Sequence, residues 1–236
     1  MPRSTVPAAI HTTFNIAVLA SSLVIALWTS QTVAESLTLP PIDVDLVGQI
    51  AVVKAKHEDT LLDIARRFDI GQDEIVLANK QVDRWLPGEG REIVIPSRFI
   101  LPRAERTGIV LNVPELRLYY FPPPEAGLPD QVQTFPVSIG RMDWATPLGT
   151  TRIAAKILNP SWRPPESIRA EAAADGKVLP ELIPPGPGNP LGDYALRLAL
   201  PGYLIHSTNK PYGVGMRVTH GCVRMYPEDI EVLFPE

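Results

Sequence analysis

Cysteine is nearly absent from the 236-residue chain: Cys222 is the only one. An internal disulfide framework is therefore excluded. With His206 and His220 as its only nearby imidazoles, Cys222 also falls short of the four protein ligands of a structural zinc site, so no metal is expected. A basic excess is lacking too. The formal charge is −4 and no Lys/Arg stripe appears, which gives no reason to expect a nucleic-acid partner. There is no internal repeat and no low-complexity tract. The main apolar run, residues 14–28 (FNIAVLASSLVIALW), is shorter than the roughly 20 residues that a membrane span needs. Proline, by contrast, is plentiful: 26 residues, most of them after Pro96, which suits short strands and many turns better than long helices.

The apolar run follows Arg3 and precedes the small residues Thr32-Val33-Ala34. This order describes a secretory signal peptide over residues 1–34, with an uncleaved inner-membrane anchor as the alternative. Export sharpens the reading of Cys222. Exported proteins pair their cysteines, so an unpaired thiol is reactive, forms an intermolecular cross-link, or is buried as a small apolar group.

Residues 35–47 read as a Pro-containing linker or edge segment. Residues 48–97 carry a β-α-α-β pattern. Val52-Val53-Lys54-Ala55 is strand-like. Asp59 or Thr60 offers an N-cap ahead of Leu61, Leu62, Ile64 and Ala65, Asp73 can cap a second helix ending at Asn79, and Leu86-Pro87-Gly88 turns into a closing strand at residues 92–96. The Asp59-Thr60-Leu61 start, Ile64-Ala65, Asn79, the Leu-Pro-Gly turn and Ile93-Val94-Ile95-Pro96 resemble a LysM module, with His57-Glu58 where such modules carry Pro-Gly. The resemblance implies binding to N-acetylglucosamine chains of peptidoglycan or chitin, with Asp59, Thr60 and Asn79 as candidate glycan-binding residues. The alternative is a module that only positions the next domain.

From Gly108 onward, strands are expected at residues 109–113, 116–121, 133–140, 149–154 and 203–206, and a helix at residues 227–234, with proline first and Glu228 and Asp229 in its first turn. Between them lies the chemistry-bearing stretch, residues 206–224 (HSTNKPYGVGMRVTHGCVR). A thiol attacks as thiolate, and a neighbouring imidazole provides it by taking the proton and holding an ion pair. Two histidines can serve. His220 lies two residues from Cys222, on the same face of an extended chain, and His206 ends a strand that a glycine-containing loop can bring back. Spacing leaves both open. Gly221 leaves room for backbone N–H groups to face an oxyanion. Arg224 suits a substrate carboxylate.

This stretch resembles the signature of the L,D-transpeptidases, the YkuD-type catalytic domain: a histidine, a spacer, then Ser/Thr-His-Gly-Cys-x-Arg/Asn. The resemblance spans residues 105–236, supported by Thr146-Pro147, Pro160-Ser161-Trp162-Arg163-Pro164 and Gly186-Pro187-Gly188-Asn189-Pro190-Leu191-Gly192. With the two segments ahead of it, the chain is similar to the ErfK/YbiS/YcfS/YnhG group of periplasmic enzymes. The implied fold is a mainly β catalytic domain, a YkuD-like β-sandwich with short helices, behind a small βααβ LysM module. The implied chemistry makes Cys222 the nucleophile and His206 its base, oriented by the backbone carbonyl of Ser207. Gly221 and Cys222 supply oxyanion N–H groups, and His220, Arg224 and Thr219 bind substrate. The implied substrates are peptidoglycan stem peptides and glycan strands, with a stem-peptide amine, an outer-membrane lipoprotein lysine or water as acceptor. No cofactor is implied, and carbapenems are expected to acylate the thiol. Domains of this family continue into a strand after the last helix, so a C-terminal strand is expected to be missing. The rival from another class is a non-catalytic wall-binding protein.

Overall fold

The computed structural model describes residues 36–236, so the expected signal peptide lies outside the described residues. In chain order the strands and helices are β1 (Ser36–Thr38), β2 (Leu46–Gly48), β3 (Ala51–Lys54), α1 (Leu61–Arg67), α2 (Gln72–Ala78), β4 (Glu92–Ile95), β5 (Arg98–Ile100), β6 (Gly108–Asn112), β7 (Arg117–Phe121), β8 (Gln131–Gly140), β9 (Ile153–Leu158), α3 (Glu166–Ala174), β10 (Tyr194–Leu198), β11 (Leu204–His206), β12 (Arg217–Thr219), β13 (Val223–Met225) and α4 (Pro227–Leu233).

The β-α-α-β segment forms from local signals. Thr60 caps α1: its hydroxyl accepts from Asp63 N–H at 3.1 Å, and the Asp63 carboxylate accepts from Thr60 N–H at 3.0 Å. At α2 the cap is Gly71 and not the expected Asp73, because Gly71 N–H donates to Glu74 Oε2 at 2.8 Å. Strands β3 and β4 pair antiparallel, Ala51 opposite Ile95. Segments read as linker also join sheets. β1 pairs with the start of β8, and β2 pairs with β5.

The region from β6 onward is mainly β, as expected, and its strands are joined in one continuous nine-stranded sheet. The order is β6-β7-β8-β13-β11-β10-β9, with β1 and β12 also on β8. The link is β8. Its residues up to Pro136 pair with β7, and Val137 and Ser138 pair with β13. Proline sits where the strand changes partner, a place that tolerates its missing N–H. All five residues of β7 are buried, which explains its lack of polar alternation. Leu118 and Tyr120 enter one core with Phe135, Val137, Ile205, Val223 and Ile230. Tyr119 and Phe121 enter the other, with Leu61, Ile64, Ile70, Ile75 and Ile93 of the preceding module.

That second core makes the module and the large sheet a single packed body. Polar bonds reinforce it. The fully buried Arg117 guanidinium donates to Glu74 at 2.8 Å and to the Asp69 carbonyl at 3.0 Å, and stacks 4.0 Å from the Phe99 ring centre. Arg66 makes a two-point contact with Glu228 on α4, at 2.6 and 2.9 Å. Gln72 N–H donates to the Val214 carbonyl at 2.9 Å, in the loop between β11 and β12. Here Gly215, at φ +88°, lies so close to Gly71 that any Cβ would collide at 2.3 Å. The module thus grips the loop that connects His206 to the Cys222 segment.

Candidate active site

Parallel pairing of β11 with β13 sets Ile205 beside Val223 and His206 beside Arg224. Ile205 and Val223 point into the core, so the alternation of a strand sends His206, Arg224 and Cys222 to the opposite face. Residues sixteen positions apart in the chain thereby share one surface, which spacing alone could not decide.

His206 is buried. Its Nδ1 lies 2.6 Å from the Ser207 carbonyl, which only accepts, so Nδ1 carries the proton and Nε2 keeps the lone pair. Burial, with the Arg224 charge adding to it, pushes this histidine down to about 4. Burial likewise raises the Cys222 thiol. Both shifts favour the uncharged thiol and imidazole over an ion pair at rest. The thiol faces the Gly202 carbonyl at 3.8 Å, and among the described residues it has no hydrogen bond to either imidazole. Arg224 is half-buried, with no carboxylate partner among the described residues, and its Nε has no hydrogen bond. An unpaired guanidinium on the thiol's face is a ready site for an anionic group.

The turn carrying Cys222 is tied by Thr219. Its buried hydroxyl accepts from Gly221 N–H at 3.2 Å and donates to the Cys222 carbonyl at 2.6 Å. Two expectations need correction here. Thr219 spends its hydroxyl on the turn and does not offer it to a substrate. Gly221 N–H is likewise engaged, so it is not presented to an oxyanion in this state. Glycine is required at 221 for another reason: its φ is +99°, and a Cβ would lie 2.8 Å from the Tyr203 ring. Thr146 braces the far side, donating to the Gly221 carbonyl at 2.9 Å.

His220 stands beside the thiol segment with its Nε2 2.7 Å from Glu171 on α3, and its ring edge-on to Trp144 at 5.0 Å. Glu171, Trp144 and Thr146 were not picked out as site residues from the sequence, although Thr146-Pro147 marked the segment. Asn189, within the marked Gly-Pro-Gly-Asn-Pro-Leu-Gly stretch, is fully buried. It donates to the Pro160 carbonyl at 2.8 Å and accepts from Leu191 N–H at 2.9 Å, which shapes the loop over His206.

The proposed glycan contacts of the module are spent internally. Asp59 is buried and salt-bridged to Arg67. Although burial pushes its carboxyl up, the hydrogen bonds from Arg67 and from Lys56 N–H outweigh that and hold it low. Thr60 is the helix cap. Asn79 donates to the Ile75 and Val94 carbonyls at 2.9 and 2.8 Å and accepts from Val94 N–H at 2.8 Å. These three residues bind the module together and are not free for sugar.

A thiol and a neutral buried imidazole on one strand face, beside an unpaired guanidinium, are the equipment of a cysteine-dependent acyl-transfer domain. Comparison with known proteins agrees. Residues 106–236 match the model of the YkuD L,D-transpeptidase catalytic domain. The chain is 39% identical over 208 residues to "Probable L,D-transpeptidase YcfS" of Escherichia coli (strain K12), covering 86% of this chain and 64% of that protein. It is 40% identical over 204 residues to "Probable L,D-transpeptidase ErfK/SrfK" of Salmonella typhimurium, covering 85% and 64%. Among solved structures, L,D-transpeptidase 3 from Mycobacterium tuberculosis is 18% identical and aligns over 81% of this chain and 89% of that one, with a TM-score of 0.38. The chain belongs to the YkuD family of L,D-transpeptidase catalytic domains. It spans 64% of the length of these two curated relatives. No helix among the described residues is long and apolar enough to cross a membrane.

Proposed function

We propose that the chain is an L,D-transpeptidase acting on peptidoglycan tetrapeptide stems through a thioester on Cys222. The observation that carries this reading is the shared face of His206, Cys222 and Arg224, with His206 fixed as the Nδ1–H tautomer. In acylation, the free Nε2 of His206 takes the thiol proton as sulfur attacks the carbonyl of the third stem residue, meso-diaminopimelate. The C–S bond forms, the C–N bond to D-alanine breaks, and the proton passes to the leaving amine. An incoming amine then attacks the thioester, its proton returns through His206 to the sulfur, and an amide replaces the C–S bond. Burial disfavours the charged form of both groups at rest, so proton transfer accompanies attack. The Ser207 carbonyl steadies the imidazolium that forms. Arg224 holds a carboxylate of the stem peptide, and His220 lines the same cleft.

The acceptor is a stem-peptide amine, giving a 3→3 cross-link, or the terminal lysine of an outer-membrane lipoprotein. The work is done in the periplasm, after export by the N-terminal segment. Residues 48–97 are read as a LysM-type module whose main task in this chain is to brace the loop behind His206, since Asp59, Thr60 and Asn79 are occupied. The test is product analysis with a purified tetrapeptide muropeptide. A cross-linked dimer with release of D-alanine supports transfer to an amine. Tripeptide as the sole product identifies water as acceptor and makes the enzyme an L,D-carboxypeptidase. Absence of any product contradicts an enzymatic role and favours wall binding alone.

A further inference from the structure

Helix α3 buries none of its residues fully. Glu171 links it to His220 and Arg141. One carboxylate oxygen meets His220 Nε2 at 2.7 Å, and the other pairs with the Arg141 guanidinium. Arg141 in turn donates its backbone N–H to the Thr219 carbonyl at 3.1 Å, within the turn that presents Cys222. The Trp144 ring closes the other side of the imidazole, edge-on at 76°. His220 is thus held on two sides by groups from two separate segments, two residues from the nucleophile.

We propose that Glu171 is a positioning residue of this site, fixing the His220 ring in one orientation and one tautomer beside Cys222 and coupling the seating of α3 to turnover. The proposal rests on the acyl-transfer reading above. A carboxylate only accepts, so Nε2 of His220 bears hydrogen and Nδ1, at the opposite edge of the ring, is turned away from α3. Nδ1 has no hydrogen-bond partner among the described residues, and it is the edge left for substrate or acceptor. An ordinary exposed ion pair would contribute little and leave turnover unchanged. A partner that sets a ring's angle in the site acts on the rate, because small misplacements in a reacting assembly are costly.

The test uses the full chain with Glu171→Ala, His220→Gln, the double variant, and Asp143→Asn as control. Asp143 pairs with Arg141 but does not touch His220, and its side chain is 65% exposed. With a tetrapeptide donor, Glu171→Ala is expected to lower kcat about tenfold with KM little changed. In the His220→Gln background the same change is expected to add less than about twofold, because the two residues act as one unit. Asp143→Asn should stay within about twofold of wild type. Additive losses in the double variant, or unchanged kcat in Glu171→Ala, overturn the proposal. A second readout is independent of activity: 15N NMR of the His220 ring should show a protonated Nε2 in the wild type, with the preference lost in Glu171→Ala. An unprotonated Nε2 in the wild type overturns it. If the wild type forms no acyl-enzyme, the acyl-transfer reading fails, and the NMR result still decides the Glu171–His220 link.

Discussion

Burial sets how individual residues behave here. His206 titrates near 4 in the folded chain and near 6.5 when unfolded. Between those values the unfolded state binds the extra proton. The stability this gives is complete above about pH 6.5 and is lost as pH falls toward 4, a span worth roughly 3 kcal/mol. Urea unfolding at pH 7 and pH 4.5 should show that acid loss in wild type and a smaller loss in His206→Gln; equal losses would contradict it. Gly221 is constrained by geometry rather than charge. An alanine there meets the Tyr203 ring at 2.8 Å in left-handed backbone, which costs about 1–3 kcal/mol of strain. Gly221→Ala is expected to slow carbapenem acylation of Cys222 at least about tenfold, read by stopped-flow absorbance. The stretch from His206 to Arg224 was legible in the sequence because its residues are chemically distinctive. The roles of Thr219 and of Gly221 N–H were not, since a hydroxyl that closes a turn looks the same in sequence as one that faces substrate.

Elements form here according to how much of their bonding is local. α1 was readable because Thr60 and Asp63 cap it within one turn, and α4 because Pro227 opens it. The short strands β10, β12 and β13 were not, since each of them takes its pairing from distant segments. α3 has a local start signal in Pro164-Pro165 followed by an alanine-rich run, but nothing along the chain marks its Glu171 as a partner of His220. β7 belongs to both cores, and its Arg117 is where the module and sheet meet. With a fully buried guanidinium bonded to Glu74 and Thr134, removing the cation takes away the ion-pair partner of Glu74 and the hydrogen bond to Thr134. Arg117→Met should lower global stability by about 3 kcal/mol in urea unfolding, while the Cys222 thiol stays reactive in the fraction that remains folded. A change under about 1 kcal/mol would show that the cation–π stack and ion pair contribute no more than a surface pair does.

Over the molecule as a whole, the β-α-α-β order of residues 48–97 was plain from the sequence, but its union with the large sheet was not. The β-α-α-β unit could be delimited by its turns and caps. Nothing in its pattern announced that Ile70 and Ile75 would share a core with Tyr119 and Phe121, or that Gly71 would press on Gly215 in the loop between β11 and β12. The apolar residues that join the two regions look like any others when read along the chain. The union places one thiol, one neutral imidazole and one unpaired guanidinium on a single braced face, and the account stands or falls on that thiol. The most direct measurement is the intact mass of the purified chain after incubation with a carbapenem. The account predicts one covalent adduct, mapped to Cys222 by peptide digestion and absent in Cys222→Ala. A wild-type chain that gains no mass, or an adduct that persists in Cys222→Ala, would contradict it.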